Sequence, residues 1–289
     1  MNGAAVTIGK FNGFHLGHQI LLDSVVDEAL EKGYDAYCIK LVFSNERIFT
    51  SEEEQEILNE KYNKMSLECI SFTPEFASQS PEDFVRTILV DKYNVKYISV
   101  GKDFRFGKDR TGNTELLTEL GNRYGFEVKV FDKLSIDGEI VSSTRIKEKM
   151  AEGNMQEASR LLGRPYSISG IVEGGKKLGR SLGYPTINQK LASDKILPLF
   201  GVYSSDVLVY NSTGDFSKYK GITNIGIRPS VDDGDIPTVE TFIYNFSDDI
   251  YGYKVKIIPK VYIRPEKHFN SLEELTEQIS RDTKYADSL

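Results

Sequence analysis

The chain has 289 residues, 39% of them hydrophobic and 27% charged, with a formal net charge of −7. That length suits two domains, each able to bury a core of its own. The acidic balance argues against a general nucleic-acid binder, which needs a basic footprint to meet phosphates, and no apolar run of about 18 residues calls for a membrane span.

Residues 1–13 lead straight into a strand-like stretch without the basic and apolar regions of a signal peptide, so a cytoplasmic protein is expected. Cys38 and Cys69 both lie in strand-like apolar segments. A disulfide is formally open, and two buried thiols are the expectation for a reducing compartment. Two cysteines and three histidines leave little material for a zinc site.

The first 150 residues or so alternate two periodicities. Ala4–Ile8 is a short apolar run, and Gly17–Glu31 then places Ile20, Leu21, Leu22, Val25, Val26 and Leu30 at helical spacing. Tyr37–Phe43 reads as the next strand, and Ser51 with Glu54 as a capping box opening a charged helix. Leu67–Phe72 is strand-like, and Ser80-Pro81-Glu82-Asp83 starts a helix with proline at its first position. Tyr97–Val100, a helix near Thr114–Tyr124 and the strand Glu127–Phe131 continue the pattern. Such alternation predicts a parallel sheet covered on both faces, a Rossmann-like α/β domain.

The pattern changes after about Met150. Helices over Ser143–Glu152 and Met155–Leu162 end at Gly163-Arg164-Pro165. Strand-like runs follow with turn residues between them: Tyr166–Val172, Gly201–Val209, Tyr219–Ile227, Val239–Phe246 and Lys254–Ile263. Clustered strands without intervening helices predict an antiparallel barrel. Ser271 and Glu274 form a capping box for a last amphipathic helix reaching about Tyr285.

Two features of the second half bear on chemistry. Gly170, Gly174, Gly175 and Gly179 are interleaved with Lys176, Lys177 and Arg180. Glycines at this density let backbone N–H groups turn toward an anion, and they equally suit hairpin turns of a barrel. The spacing is not that of a Walker A loop. Thr186 and Asn188, after Pro185, carry hard oxygen donors two residues apart, on one face of an extended segment and suited to Mg²⁺ and phosphate. Further on come Asn224-Ile225-Gly226-Ile227-Arg228-Pro229 and Glu240 in an aromatic strand. Glu240 reads either as a solvated strand-end residue or as a general base near an alcohol.

These residues carry a resemblance. With Leu161–Tyr166, Pro185-Thr186-Ile187-Asn188, Gly201-Val202-Tyr203, Asp249–Gly252 and Ile263-Arg264-Pro265-Glu266, residues 161–289 resemble the riboflavin kinase module of prokaryotic bifunctional riboflavin kinase/FAD synthetases. The resemblance implies a six-stranded antiparallel barrel with a C-terminal helix, ATP held by Gly170, Gly175, Gly179, Arg180, Pro185, Thr186 and Asn188, and Mg²⁺ on Thr186 and Asn188. Glu240 would take the proton from the ribityl hydroxyl of riboflavin.

In the first half, Gly9-Lys10-Phe11-Asn12-Gly13-Phe14-His15-Leu16-Gly17-His18 follows the first strand and opens the first helix. A helix N-terminus suits phosphate, and imidazoles there can donate to phosphate oxygens. A tight turn whose histidines only cap the helix is the alternative, and a metal pair is a third reading. The segment resembles the His-x-Gly-His motif of nucleotidyltransferases, in the form used by the FMN adenylyltransferase module of the same family. Gly101-Lys102-Asp103-Phe104-Arg105-Phe106-Gly107 and Ser142-Ser143-Thr144-Arg145-Ile146-Lys147 match two further motifs of that module.

That resemblance implies catalytic His15 and His18, and ATP binding by Gly9, Phe11, Asn12, Gly13, Gly17, Ser143, Thr144, Arg145 and Lys147. It also implies flavin binding by Asp103, Phe104 and Phe106. The family usually reads Gly-Asn-Phe-Asp-Gly-Val-His, so Lys10, Asn12 and Phe14 differ, and Lys147 replaces the usual arginine. The expected organisation is therefore an FMN adenylyltransferase domain over 1–160 and a riboflavin kinase barrel over 161–289. Substrates would be riboflavin, FMN and ATP, with FAD as a product and no nucleic-acid or membrane partner. The other expectation is a riboflavin kinase alone, with the first domain kept as a structural or regulatory module.

Overall fold

The computed structural model describes residues 3–43, 46–174, 186–228, 236–267, 269 and 271–288. Two compact units are present: residues 1–47 with 51–143, and residues 48–50 with 144–289. Gly175, Gly179, Arg180 and Pro185 lie outside the described residues.

In the first unit β1 (Ala4–Gly9), β2 (Asp35–Val42), β3 (Met65–Ser71), β4 (Val95–Gly101) and β5 (Glu127–Phe131) form one sheet in the order β3-β2-β1-β4-β5. Every pairing within it is parallel. Parallel strands need crossovers, and here helices supply them: α1 (Leu16–Lys32), α2 (Ser51–Lys61), α3 (Pro74–Ala77), α4 (Pro81–Phe84) and α5 (Thr114–Tyr124). The chain passes from α4 into a π-helical stretch, Val85–Lys92. A two-stranded hairpin, β6 (Ser135–Ile136) and β7 (Glu139–Ile140), follows the sheet.

Period-two alternation sends the strands' side chains to both faces. Val6, Ile8, Ile98 and Val100 pack with Phe84, Leu89 and Leu117. Ala5, Cys38 and Tyr97 pack with Leu22, Val25 and Leu58 on the other side. The central strands β1 and β4 are buried on both faces, so they read as apolar runs rather than as simple alternation.

Two sequence expectations need correction here. Cys38 is buried but Cys69 is exposed, and both thiols are free. Cys69 belongs to β3, the edge strand of the sheet. α2 begins at Ser51 itself, so Ser51 stands inside the helix and not at its cap. The Glu54 carboxylate pairs with Lys40 of β2, with side-chain exposures of 1% and 5%. A carboxylate this buried goes to the cation that reaches it, because an unpaired buried charge is costly. Replacing Lys40 by Met alone is expected to cost about 3 kcal/mol, the low end for breaking a buried pair, because Arg47 stays 4.0 Å from the second Glu54 oxygen. The double replacement with Glu54→Met should recover most of that loss in urea unfolding.

The second unit begins with α6 (Ser143–Ala151, its first residue assigned to the first unit) and α7 (Met155–Leu162). Then come β8 (Ile168–Glu173), β9 (Thr186–Lys190), β10 (Gly201–Tyr210), β11 (Phe216–Arg228), β12 (Ile236–Ile243) and β13 (Lys254–Arg264). They close into an antiparallel barrel in the order β10-β11-β12-β9-β8-β13. Ile168, Val172, Tyr203, Val207, Ile225, Val239 and Val255 are buried. Thr223 and Thr241 meet through their hydroxyls at 3.0 Å, both buried. Closure removes the exposed edges that an open antiparallel sheet would present.

α8 (Leu272–Asp287) ends the chain, and the Ser271 hydroxyl accepts from the Glu274 N–H at 3.1 Å, as the sequence predicts. Asp282 of α8, with 4% of its side chain exposed, takes the Arg264 guanidinium at 2.8 Å.

Candidate active sites

Ligands of open parallel sheets bind outside the carboxyl ends of the strands, where strand order reverses. In the order β3-β2-β1-β4-β5 that point lies between β1 and β4. The turn after β1 is residues 10–15, and the segment after β4 holds Asp103, Phe104 and Phe106. The topology therefore directs two of the three sequence motifs of this half to one end of the sheet.

Gly9 ends β1 and Gly17 lies in the first turn of α1. Between them, Phe11 and Phe14 both take φ of 44°, a left-handed conformation rare for bulky residues. Each such residue costs on the order of 1–3 kcal/mol and persists only where its surroundings over-determine it. Here burial does so. Both rings are fully buried, 5.9 Å apart and stacked. The two phenylalanines pin a turn that carries Asn12, Gly13, His15 and His18.

His15 is the N-cap of α1, its Nδ1 accepting from the His18 N–H at 3.3 Å. The two imidazoles stack with centroids 3.6 Å apart and planes 17° apart, and His18 also meets the Phe11 ring edge-on at 5.0 Å. Capping and catalysis, alternatives from the sequence, are compatible: one ring caps the helix and holds the second beside it. Ser143 donates its hydroxyl to the Asn12 carbonyl at 2.7 Å, tying the third motif to the turn.

Thr144, Arg145 and Lys147 continue α6 within the second unit. Arg145 pairs with Glu157 of α7 at 3.3 Å. The Arg160 hydrogen bond, helped by both guanidinium charges, holds the Glu157 carboxyl below the usual range.

Leu41, Phe43, Phe72, Phe76, Phe84, Phe104 and Phe106 line a cavity of about 290 Å³ in the first unit, with Arg105 and Arg110 among its walls. Phe43 and Phe72 stack at 4.2 Å, and Phe104 and Phe106 at 5.6 Å. Gly107 also lines it with φ of 68°, and a Cβ there would lie 2.7 Å from the Pro81 nitrogen, so only glycine lets the wall close. Asp103 sits apart from this lining, paired with Lys133 at 2.8 Å. Phe43, Phe72, Phe76 and Phe84 were not singled out from sequence. The available signal was an aromatic residue directly after β2 and β3. Lys10 lies over Phe43, its Nζ 4.5 Å from the ring centroid.

On the barrel, the registers place Asn188 of β9 opposite Glu240 of β12, and Glu240 opposite Asn224 of β11. Thr186 is opposite Phe242. Val239 and Thr241 are buried, which leaves Glu240 and Phe242 on the alternate face. Thr186, Asn188, Glu240 and Asn224 therefore share one face of three adjoining strands. Glu240 is half-buried inside β12 rather than at its start. Gly170 is in β8, opposite Val255. Tyr203 is barrel core, its hydroxyl donating to the Leu199 carbonyl at 2.5 Å. Burial pushes the half-buried Tyr244 phenol up to about 12.

A parallel sheet with a histidine turn at its switch point, followed by a closed barrel with a carboxylate between amide side chains, defines a two-module nucleotide-handling transferase. Residues 1–145 match the FAD synthetase family model, and residues 162–289 match the riboflavin kinase model. A bifunctional riboflavin kinase/FMN adenylyltransferase of Buchnera aphidicola subsp. Schizaphis graminum is 37% identical over 97% of this chain and 92% of that protein. The Escherichia coli K12 protein of the same name is 32% identical over 97% and 90%. The chain belongs to the bifunctional riboflavin kinase/FMN adenylyltransferase family, and both modules are present.

A Streptococcus pneumoniae crystal structure described as a macrolide-efflux protein is 27% identical and superposes with a TM-score of 0.87, covering 100% of this chain and 95% of that one. That description belongs to the other protein. Among the described residues here, no helix is long and apolar enough to cross a membrane.

Proposed function

We propose that this chain makes FMN on its barrel and FAD on its parallel-sheet unit, with functional modules spanning 1–160 and 161–289. In the first reaction the ribityl 5′-hydroxyl oxygen of riboflavin bonds to the γ-phosphorus of ATP. The bond to the β-phosphate oxygen breaks, ADP leaves, and Glu240 takes the hydroxyl proton. In the second, a phosphate oxygen of FMN attacks the α-phosphorus of ATP and pyrophosphate leaves, while His15 and His18 donate to the phosphate oxygens.

The row Asn188–Glu240–Asn224 carries the kinase reading, because it sets a carboxylate among neutral donors on one face of the barrel. The hydroxyl of Thr186 and the amide oxygen of Asn188 are hard neutral donors. Two are too few to hold Mg²⁺ by themselves, and they fit a cation shared with triphosphate oxygens. When bound, that cation would neutralise phosphate charge. Gly170, Gly175, Gly179, Arg180 and Pro185 are proposed to complete the ATP site.

In the first unit the aromatic cavity suits an isoalloxazine ring, with Phe104 and Phe106 as stacking faces; Asp103, next to Phe104 in the chain, is proposed as a further flavin contact. The strand-end turn, with Gly9, Phe11, Asn12, Gly13 and Gly17, suits the triphosphate together with Ser143; Thr144, Arg145 and Lys147 are proposed as ATP ligands on the sequence motif alone. A cytoplasmic setting is part of this proposal.

Purified protein incubated with riboflavin, ATP and Mg²⁺ should yield FMN and then FAD on chromatography. Riboflavin consumption with FMN accumulating and no FAD would remove the adenylyltransferase half. Phe104→Ala should weaken FMN binding roughly 10-fold, the worth of one stacked ring, as read by quenching of flavin fluorescence. Phe104 is the residue to truncate because it is only half-buried, whereas Phe106 belongs to the buried core. Unchanged FMN affinity in that variant would place the flavin elsewhere.

A further inference from the structure

Glu266 stands just past the last barrel strand. Its Oε1 accepts from Asn224 Nδ2 at 3.0 Å. Its carboxylate also lies over β11 at Gly226, where a built Cβ would land on Oε1. Gly226 is buried although it is on the same face as Asn224, because Glu266 covers it. A Cβ at this position would require the carboxylate to shift.

The approach of Glu266 is set from the other side. Arg264 donates to Asp282 of α8 through Nε at 3.0 Å and Nη2 at 2.8 Å, and through Nη1 to the Pro265 carbonyl at 3.0 Å. Val202 of β10 is the register partner of both Arg264 and Asn224. A single row thus crosses the barrel from Arg264 through Val202, Asn224 and Glu240 to Asn188. Clamped at Arg264 and Pro265, the chain leaving β13 delivers Glu266 to the residue beside the proposed base.

We propose that Glu266 is a positioning residue of the kinase site, acting on Glu240 through Asn224, and that Gly226 admits its carboxylate. The inference rests on the kinase reading above. Directly opposed side chains of antiparallel strands stand about 4.5–5.5 Å apart at Cβ, so the rotamer of Asn224 sets the room and the donors that Glu240 meets. Tethered to Glu266, Asn224 is a fixed wall. Released, its amide N–H groups can turn onto the Glu240 carboxylate and occupy the lone pairs that the substrate hydroxyl needs. The loss falls on turnover and not on ATP binding.

Steady-state riboflavin phosphorylation by the full chain tests this with Glu266→Ala, Glu266→Gln, Gly226→Ala and the Gly226→Ala/Glu266→Ala pair. Glu266→Ala should lower kcat roughly 10-fold, the scale of a small misplacement, with KM for ATP unchanged. Glu266→Gln should restore turnover, since its Oε1 accepts the same N–H. Gly226→Ala should act like Glu266→Ala, and the pair should be no worse than Glu266→Ala alone, because the clash has gone. Thermal melts and FAD formation from supplied FMN check that each variant is folded. Wild-type kcat in Glu266→Ala, a rise in KM for ATP in place of the kcat loss, or multiplicative losses in the pair would overturn the positioning role. The kinase reading is checked separately by wild-type FMN formation and its loss in Glu240→Gln, so the two failures are distinguishable.

Discussion

Glu240→Gln is expected to lower riboflavin phosphorylation by about 10²- to 10⁴-fold, the usual worth of a positioned general base, while FAD synthesis from supplied FMN continues. Glutamine keeps the size and the acceptor oxygen of the side chain but not its ability to take a proton. Glu240 is half-buried on the face opposite the barrel core, and its strand neighbours Val239 and Thr241 carry the packing. The row with Asn188 and Asn224 is set by backbone registers, which the substitution does not touch. A large loss of kcat with an unchanged thermal melt is therefore a chemical effect and not a folding one. Wild-type turnover in this variant would mean that the barrel takes the proton by another route.

The second large effect is expected in the histidine turn. His18→Ala should lower FAD formation by about 10²- to 10³-fold, the scale for removing one donor to developing charge, and leave riboflavin phosphorylation unaltered. His15 needs a different substitution, because its Nδ1 caps α1. His15→Ala would mix lost chemistry with a lost cap, worth about 0.5–2 kcal/mol. Asparagine is a good N-cap, so His15→Asn should keep the melting temperature near wild type while FAD formation falls. Equal FAD rates in wild type and His18→Ala would reduce the imidazole pair to a structural feature. The departures at Lys10, Asn12 and Phe14 do not remove this half from the family, since residues 1–145, which contain all three, match the FAD synthetase model. Phe14 is a buried ring stacked on Phe11 within that turn.

Much of this architecture is written in local pattern. The alternation of strand and helix over the first half leads directly to an open parallel sheet, because parallel neighbours need crossovers. The strand runs after Met150 lead likewise to an antiparallel array. Caps such as Ser80 and Ser271 were legible because the donor and acceptor lie three residues apart. Glu54 misled for the same local reason. Its spacing from Ser51 is that of a capping box, but Lys40 is a partner only after β2 and α2 have packed together.

By itself, then, the sequence determined the two-part organisation, the fold class of each part, and the motifs at His15–His18, Asp103–Phe106 and Thr186–Asn188. All of these depend on residues close together along the chain. Tertiary structure decided what stands beside what. Strand register put Asn224 and Asn188 on either side of Glu240. The end of the parallel sheet gathered Phe43, Phe72 and Phe84 around Phe104 and Phe106, and the exit from β13 carried Glu266 onto Gly226. The physical reason is that register and packing depend on the closure of the whole sheet or barrel, and no window of sequence contains both partners of such a contact.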